Sequence, residues 1–354
     1  MQQIYKEDLE LLALGSAVLG SGGGGDPAYD LLMAQYAMDQ YGPVKLIRVE
    51  DLAPDDLIAP CDFIGAPLVA VEQLPQGEEL LRILELIRKT LGKSVTALLP
   101  SEIGGGNAFV PLTIASRLGL PVVDGDLIGR AFPQIQMCTA HLTGISPTPA
   151  FLADGLGNSV VVHANTSMEL EKIARQVAIA MGSHCAMASF LMNGNQAKQA
   201  VIPGSISKAC KIGAVMKGND PIQSLVNSYH GAVLAEGMVT EINQDIRDGF
   251  LEGTVKMGTP QGTVEIIYQN EYLVAKVQDS ILASTPDIIT LLESDSGTPI
   301  TSESLKYGLR VHLIALPAPK IWTTTEGLQC VGPHYFGFDF SYSPVKQGGH
   351  HEFL

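Results

Sequence analysis

Hydrophobic residues recur at helical spacing over residues 7–19, with Leu9, Leu12, Ala13 and Ala17 sharing a face beside Ser16, which predicts a helix. After Ser21 and the run Gly22-Gly23-Gly24-Gly25, Asp26 and Pro27 stand where an N-cap and a first helical residue belong. A second helix is therefore predicted to about residue 41. Short apolar runs at 44–49, 63–71, 94–99 and 121–123 read as strands, the second turning into a loop through Gly65 and Pro67. Between them, residues 78–91 form an amphipathic helical pattern, and Asn107 is placed to cap a helix over 108–118. Alternating strands and helices predict a parallel sheet with helical crossovers. In such a sheet ligands bind beyond the carboxyl ends of the strands, and the turns holding Glu102 and Asp124 both fall there.

The texture then changes twice. Residues 135–163 are rich in Thr, Pro and Gly and predict strands and loops, whereas 168–181, with Ser167 as cap, and 206–216 predict helices. From about residue 232 onward, short Val-, Ile- and Tyr-rich runs alternate with Gly, Asn and Asp, the signature of a β-rich module. The expected architecture is α/β in two domains. Residues 1–166 form an N-terminal α/β domain with a mostly parallel sheet, and 167–354 a mixed C-terminal domain, with helices from 168–230 between the halves. The 354-residue length agrees with two domains.

Composition removes several function classes. Hydrophobic residues make up 46% of the chain and charged residues 17%, enough for sizeable cores and too apolar for disorder. The net charge of −15 supplies no basic stripe for phosphates, so no nucleic-acid partner is expected, and an acidic surface disfavours anionic membranes. Five scattered cysteines without a CxxC pair argue against a disulfide framework or thiolate zinc site. They fit reduced, buried thiols in a cytoplasmic protein. The first residues carry acids before any apolar run, unlike a signal peptide, and no window reaches about 18–20 apolar residues, so no membrane span is expected. The His350-His351 tail reads as a flexible end. A chain this apolar is expected to form a homo-oligomer.

Three turns can carry chemistry. The glycines at 22–25, leading through Asp26 into a helix, can form an anion nest or a tight turn, but lack the Lys and Ser/Thr of a P-loop. Glu102, in Ser101-Glu102-Ile103-Gly104-Gly105-Gly106-Asn107, is a candidate general base. Asp124 and Asp126 alternate on an extended backbone and face one side, where they can act as an acid–base pair or bind a divalent metal. Arg130 can clamp a substrate carboxylate or hold Asp126. His163 is either a proton shuttle or a satisfied edge histidine. No HExxH or GxSxG pattern is present.

The ordered series LGSGGGGDP, EIGGGNAFVPLTIASRLGLPVVDGDLIGRAFPQIQM, IPGSIS, YQNEYLVAKV, TPDIITLLE, YGLRVHLIALPAP and VGPHYFGFDF resembles the S-methyl-thiohydantoin desulfurase-like family over about residues 8–345. Relatives of that family occur joined to hydantoinase A/oxoprolinase-type proteins. The resemblance implies a C-terminal domain that mixes helices with a swivelling-type β module, and hydantoin-like five-membered rings as the substrate class. Combined with the motifs, it gives an expected hydrolase. In it Asp124 or Asp126 activates water and Glu102 or the other Asp protonates the leaving group. Gly22, Gly23, Gly24, Gly25, Asp26, Asn107 and His163 surround the substrate, and Arg130 orients a carboxylate. The alternative is a non-catalytic partner subunit of a hydantoinase-type complex. The chain departs from the family at Gln134, where an acid is more usual.

Overall fold

The computed structural model describes residues 2–65 and 75–346. The first helix, Leu9–Leu19, is buried on nearly every side. It crosses the helix Ser205–Met216 at very short range: a Cβ on Gly15 would lie 1.8 Å from the Ala209 carbonyl oxygen, and one on Gly213 would lie 1.9 Å from that of Leu11. Glycine at both crossing points is what lets the backbones touch.

The N-terminal sheet has a parallel centre. Val44–Ile47, Val122–Val123, Ala97–Pro100 and Leu57–Gly65 lie side by side in that order, all parallel. The carboxyl ends of Ala97–Pro100 and Val122–Val123 therefore bring the Glu102 and Asp124 turns to one edge. Helices Ala28–Tyr41, Glu79–Leu91 and Val110–Leu118 supply the surrounding layers. Beyond Leu57–Gly65 the sheet continues antiparallel through His184–Ala188, Ala150–Ala153 and Ser159–Val162. The strand His184–Ala188 follows residue 166 in the chain, so this sheet draws on both sides of the expected boundary. The second large sheet is antiparallel and eight-stranded, in the order Ser280–Ser284, Glu271–Val277, Gly262–Gln269, Phe250–Thr259, Ala232–Arg247, Arg310–Leu316, Ile288–Glu293, Pro299–Ile300.

Local chemistry shifts some expected boundaries. The strand expected at 63–71 starts at Leu57, because Ile58, Ala59 and Cys61 are buried in the sheet; its residues 66–71, like His350 and His351, lie outside the described residues. The cap of Ser167–Ala180 is Thr166, whose hydroxyl accepts the Glu169 N–H. Asn107 caps no helix: residues Gly105–Ala108 form a 3₁₀ turn before Val110–Leu118, and its side chain is engaged elsewhere. All five cysteines are free and buried. No helix among the described residues is long and apolar enough to cross a membrane.

The two sheets are sewn together at the end of the first helix. Tyr272 N–H donates to Ser21 O (2.6 Å), Ser302 N–H to Gly22 O (2.8 Å), Ser21 Oγ to Ile289 O (2.8 Å) and Thr290 Oγ1 to Val18 O (2.9 Å). Each bond joins residues about 250 or more positions apart, so the glycine run lies at the seam between the sheets.

Candidate active site

A cavity of about 300 Å³ opens beside this seam, and five acids line it: Asp26 and Asp30 around the start of Ala28–Tyr41, and Asp62, Glu102 and Glu271 from three further elements. Asp62 comes from the strand Leu57–Gly65, Glu102 from the turn after Ala97–Pro100, and Glu271 from the first position of Glu271–Val277 in the second sheet. Ile128, Phe132 and Phe190 contribute apolar lining. Phe63 stacks on His184, with centroids 4.7 Å apart and planes 8° from parallel. Burial pulls the His184 imidazole down to about 4, so it is neutral at physiological pH.

Each acid is held differently. Asn107 Nδ2 donates to Glu102 Oε1 (2.7 Å) while Asn107 Oδ1 accepts the Phe63 N–H (2.9 Å), so one amide orients the carboxyl against the strand. Burial, reinforced by the neighbouring charge of Glu271, raises Glu102 well above the ordinary range, against the Asn107 bond. Burial pushes Glu271 up to about 8, opposed chiefly by Arg130. Asp62 is pushed up to about 7 by burial, opposed by a hydrogen bond from Ser101 and the charge of Arg175. Asp62 Oδ1 and Glu271 Oε2 are buried without a hydrogen-bond partner among the described residues. Desolvation in a shared site is the standard way to obtain carboxylic acids that stay protonated near neutrality beside one that does not.

The glycine run makes this arrangement sterically feasible. A Cβ on Gly23 would lie 2.0 Å from Glu271 Oε1, so only glycine leaves room for that carboxyl. Gly106 N–H donates to the carbonyls of Gly24 (2.9 Å) and Gly25 (3.1 Å), interlocking the two glycine runs that the sequence keeps 80 residues apart.

Among the residues expected at the site, Glu102, Asn107, Gly24, Gly25 and Asp26 line the cavity, whereas Gly22 packs on the Tyr272 ring and Gly23 on Glu271. The Asp124–Asp126 pair has other work. Asp124 accepts the Ser207 N–H (3.0 Å) and hydroxyl (2.6 Å), at the start of Ser205–Met216, where a negative charge suits the helix dipole. Asp126 accepts from Ile103 N (2.9 Å), Ile128 N (3.1 Å), Gly129 N (2.6 Å) and Ser205 Oγ (2.5 Å). Their oxygens are taken up by N–H and O–H donors, which does not fit a metal site, and neither residue lines the cavity. Among the described residues no three His, Cys, Asp or Glu side chains converge as metal ligands.

Arg130 is fully buried behind the cavity rather than within it, and it does not hold Asp126. Its Nη1 donates to Pro286 O (2.6 Å) and Asp287 O (2.7 Å), and its guanidinium lies 4.4 Å above the Phe132 ring. It therefore clamps a turn of the second sheet and places positive charge near Glu271. His163 is exposed, away from the cavity. The residues that sequence reasoning missed are Asp62 and Glu271. An acid inside the apolar run Ile58-Ala59-Pro60-Cys61-Asp62-Phe63-Ile64 was the available signal for the first, whereas Asn270-Glu271 reads as an ordinary turn.

These raised carboxyls have a measurable consequence. Asp30 and Glu303 are pushed up to about 7, and Asp126 to about 6, in each case mainly by desolvation of the carboxyl. An acid with a folded-state pKa above its unfolded value keeps its proton in the folded protein after the unfolded chain has lost it. Stability then falls as pH rises between the two values. The melting temperature is expected to be higher at pH 6 than at pH 8.5; a flat or rising profile in differential scanning calorimetry over that interval would contradict the buried acids.

The comparisons with known proteins agree with this architecture. An X-ray structure of a protein from Chromobacterium violaceum superposes with a TM-score of 0.81 at 24% identity, covering 98% of this chain and 100% of that one, a likeness of fold. No curated protein matches the chain. The model of the S-Me-THD-like N-terminal domain matches residues 7–164, and that of the S-Me-THD-like C-terminal domain matches 164–345. With both domains matched in order across nearly its whole length, the chain belongs to the S-Me-THD-like family, the S-methyl-thiohydantoin desulfurase-like proteins.

Proposed function

We propose that the protein is a hydrolase acting on a hydantoin-like cyclic amidine, of which an S-methyl-thiohydantoin is the model substrate. Asp62 serves as general base and Glu102 as general acid. The observation that carries this reading is the meeting of Asp62, Glu102 and Glu271, from three elements, at one desolvated cavity of a size suited to a five-membered ring. Asp62, at about 7, has a buried oxygen that no donor among the described residues satisfies. A base of that strength suits proton abstraction at neutral pH. Glu102 stays protonated because burial and Glu271 both disfavour its charge.

In the proposed reaction, water attacks C2, the ring carbon between the two nitrogens, as Asp62 takes its proton. The C2–S bond then breaks and Glu102 protonates the departing methanethiolate; the proton left on the C2 hydroxyl passes to the ring nitrogen that was doubly bonded to C2, giving the C2 carbonyl and both N–H groups of a hydantoin, and the proton held by Asp62 returns through solvent to Glu102. The five buried thiols support a cytoplasmic setting. The test is incubation with a 2-methylthio-imidazol-4-one in ¹⁸O-labelled water. Stoichiometric methanethiol release with label at C2 is expected. Tight ring binding with no thiol release would instead favour a non-catalytic partner role.

A further inference from the structure

The cavity wall contains a carboxamide with a fixed orientation. Gln134 lines the cavity. Its Oε1 accepts the Tyr335 hydroxyl (2.8 Å) and also an N–H from the Gln136 amide. Gln136 Nε2 in turn donates to Tyr335 Oη (2.7 Å), closing a three-membered ring of hydrogen bonds. Gln136 is itself buried at 3% exposure, and the Tyr335 ring packs edge-on against Phe336 at 5.5 Å, so the two supports are held in place. With its carbonyl oxygen engaged twice, the part of Gln134 left for a ligand is the NH₂ group, a donor only.

Several of the other polar groups around the cavity are already committed or are acids. Asn107 spends its amide on Phe63 and Glu102. Arg175 is bound to Glu171 (Nε, 2.8 Å) and to Pro133 O (3.1 Å). The carboxyl of Glu271 can receive a ring N–H group. A ring carbonyl needs a donor, and Gln134 supplies one whose direction does not depend on pH.

We infer that Gln134 is a specificity-determining residue that donates to the ring carbonyl not undergoing attack, C4=O, and so selects five-membered rings carrying an oxygen acceptor there. This inference rests on the ring-hydrolase reading above. Gln136 and Tyr335 are positioning residues that keep the amide from turning its oxygen inward.

The test compares hydantoin with 4-thiohydantoin, which differ in one atom, by isothermal titration calorimetry on the full-length protein. A thiocarbonyl is a much weaker acceptor, so the wild type is expected to bind hydantoin about tenfold more tightly, the value of one good hydrogen bond. Gln134→Leu is expected to bind both rings alike, and Tyr335→Phe to show a reduced preference with unchanged affinity for 4-thiohydantoin. An equal preference for hydantoin in wild type and Gln134→Leu would overturn the inference while leaving the ring reading standing. If neither ring binds the wild type, the ring reading fails and the inference fails with it.

Discussion

Asp62→Asn is expected to lower kcat on a 2-methylthio-imidazol-4-one by about 10²–10⁴-fold, the usual contribution of a positioned general base. The substitution is nearly isosteric, and it removes a carboxyl whose burial already disfavours its charge. The melting temperature at pH 8 should therefore be unchanged or higher, separating a chemical loss from an unfolding one. The pH profile gives a second readout. Activity should rise as Asp62 ionises near 7 and fall at higher pH as the Glu102–Glu271 pair gives up the proton that the leaving thiolate requires. In Asp62→Asn the rising limb should vanish. Undiminished kcat, or a rising limb that survives, would remove Asp62 from the mechanism.

Asp126→Ala should act on the fold. Four donors converge on that carboxylate: three backbone N–H groups, from Ile103, Ile128 and Gly129, and the Ser205 hydroxyl. Alanine leaves them buried with no acceptor. Since each unsatisfied buried donor costs about 1–3 kcal/mol, with partial relief from water, a net loss of about 4 kcal/mol is expected. That corresponds to a melting temperature lower by roughly 5 °C. Asp126→Asn keeps an acceptor oxygen and should lose less. Calorimetry of the three proteins decides the matter. A folded Asp126→Ala with wild-type stability and no turnover would return this residue to the chemistry.

The contrast between Asp62 and Asp126 shows which parts of the site the sequence reveals. The glycine runs, the Glu102 turn and the parallel strands leading to it are local patterns, and their periodicity and turn chemistry are written within ten or so residues. The second sheet was equally legible, because Val- and Ile-rich runs between turn residues need no distant partner to be recognised. Asp124 and Asp126 carry the same local signal as catalytic acids, yet each is also engaged by a hydroxyl, from Ser207 and Ser205, that lies some 80 residues later. Glu271 has the opposite problem. It reads as a turn residue and becomes a site residue only because Tyr272 docks on Ser21 and brings the neighbouring carboxyl under Gly23. Arg130 was conspicuous in sequence, but its partners, the carbonyls of Pro286 and Asp287, lie more than 150 positions away. Side-chain identity marks where charge is available; the long-range seam between the sheets decides which charges meet.

The position of His184–Ala188 has a bearing on how the chain is made. This strand sits between Leu57–Gly65 and Ala150–Ala153 and pairs with both. A ribosome must therefore synthesise beyond residue 188 before either neighbour loses its open edge. Until then the nascent chain displays two sets of unpaired backbone groups flanked by apolar side chains, surfaces that readily recruit strands from other chains. The late strand closes both at once, so elongation through this segment is the interval in which the growing protein most needs shielding.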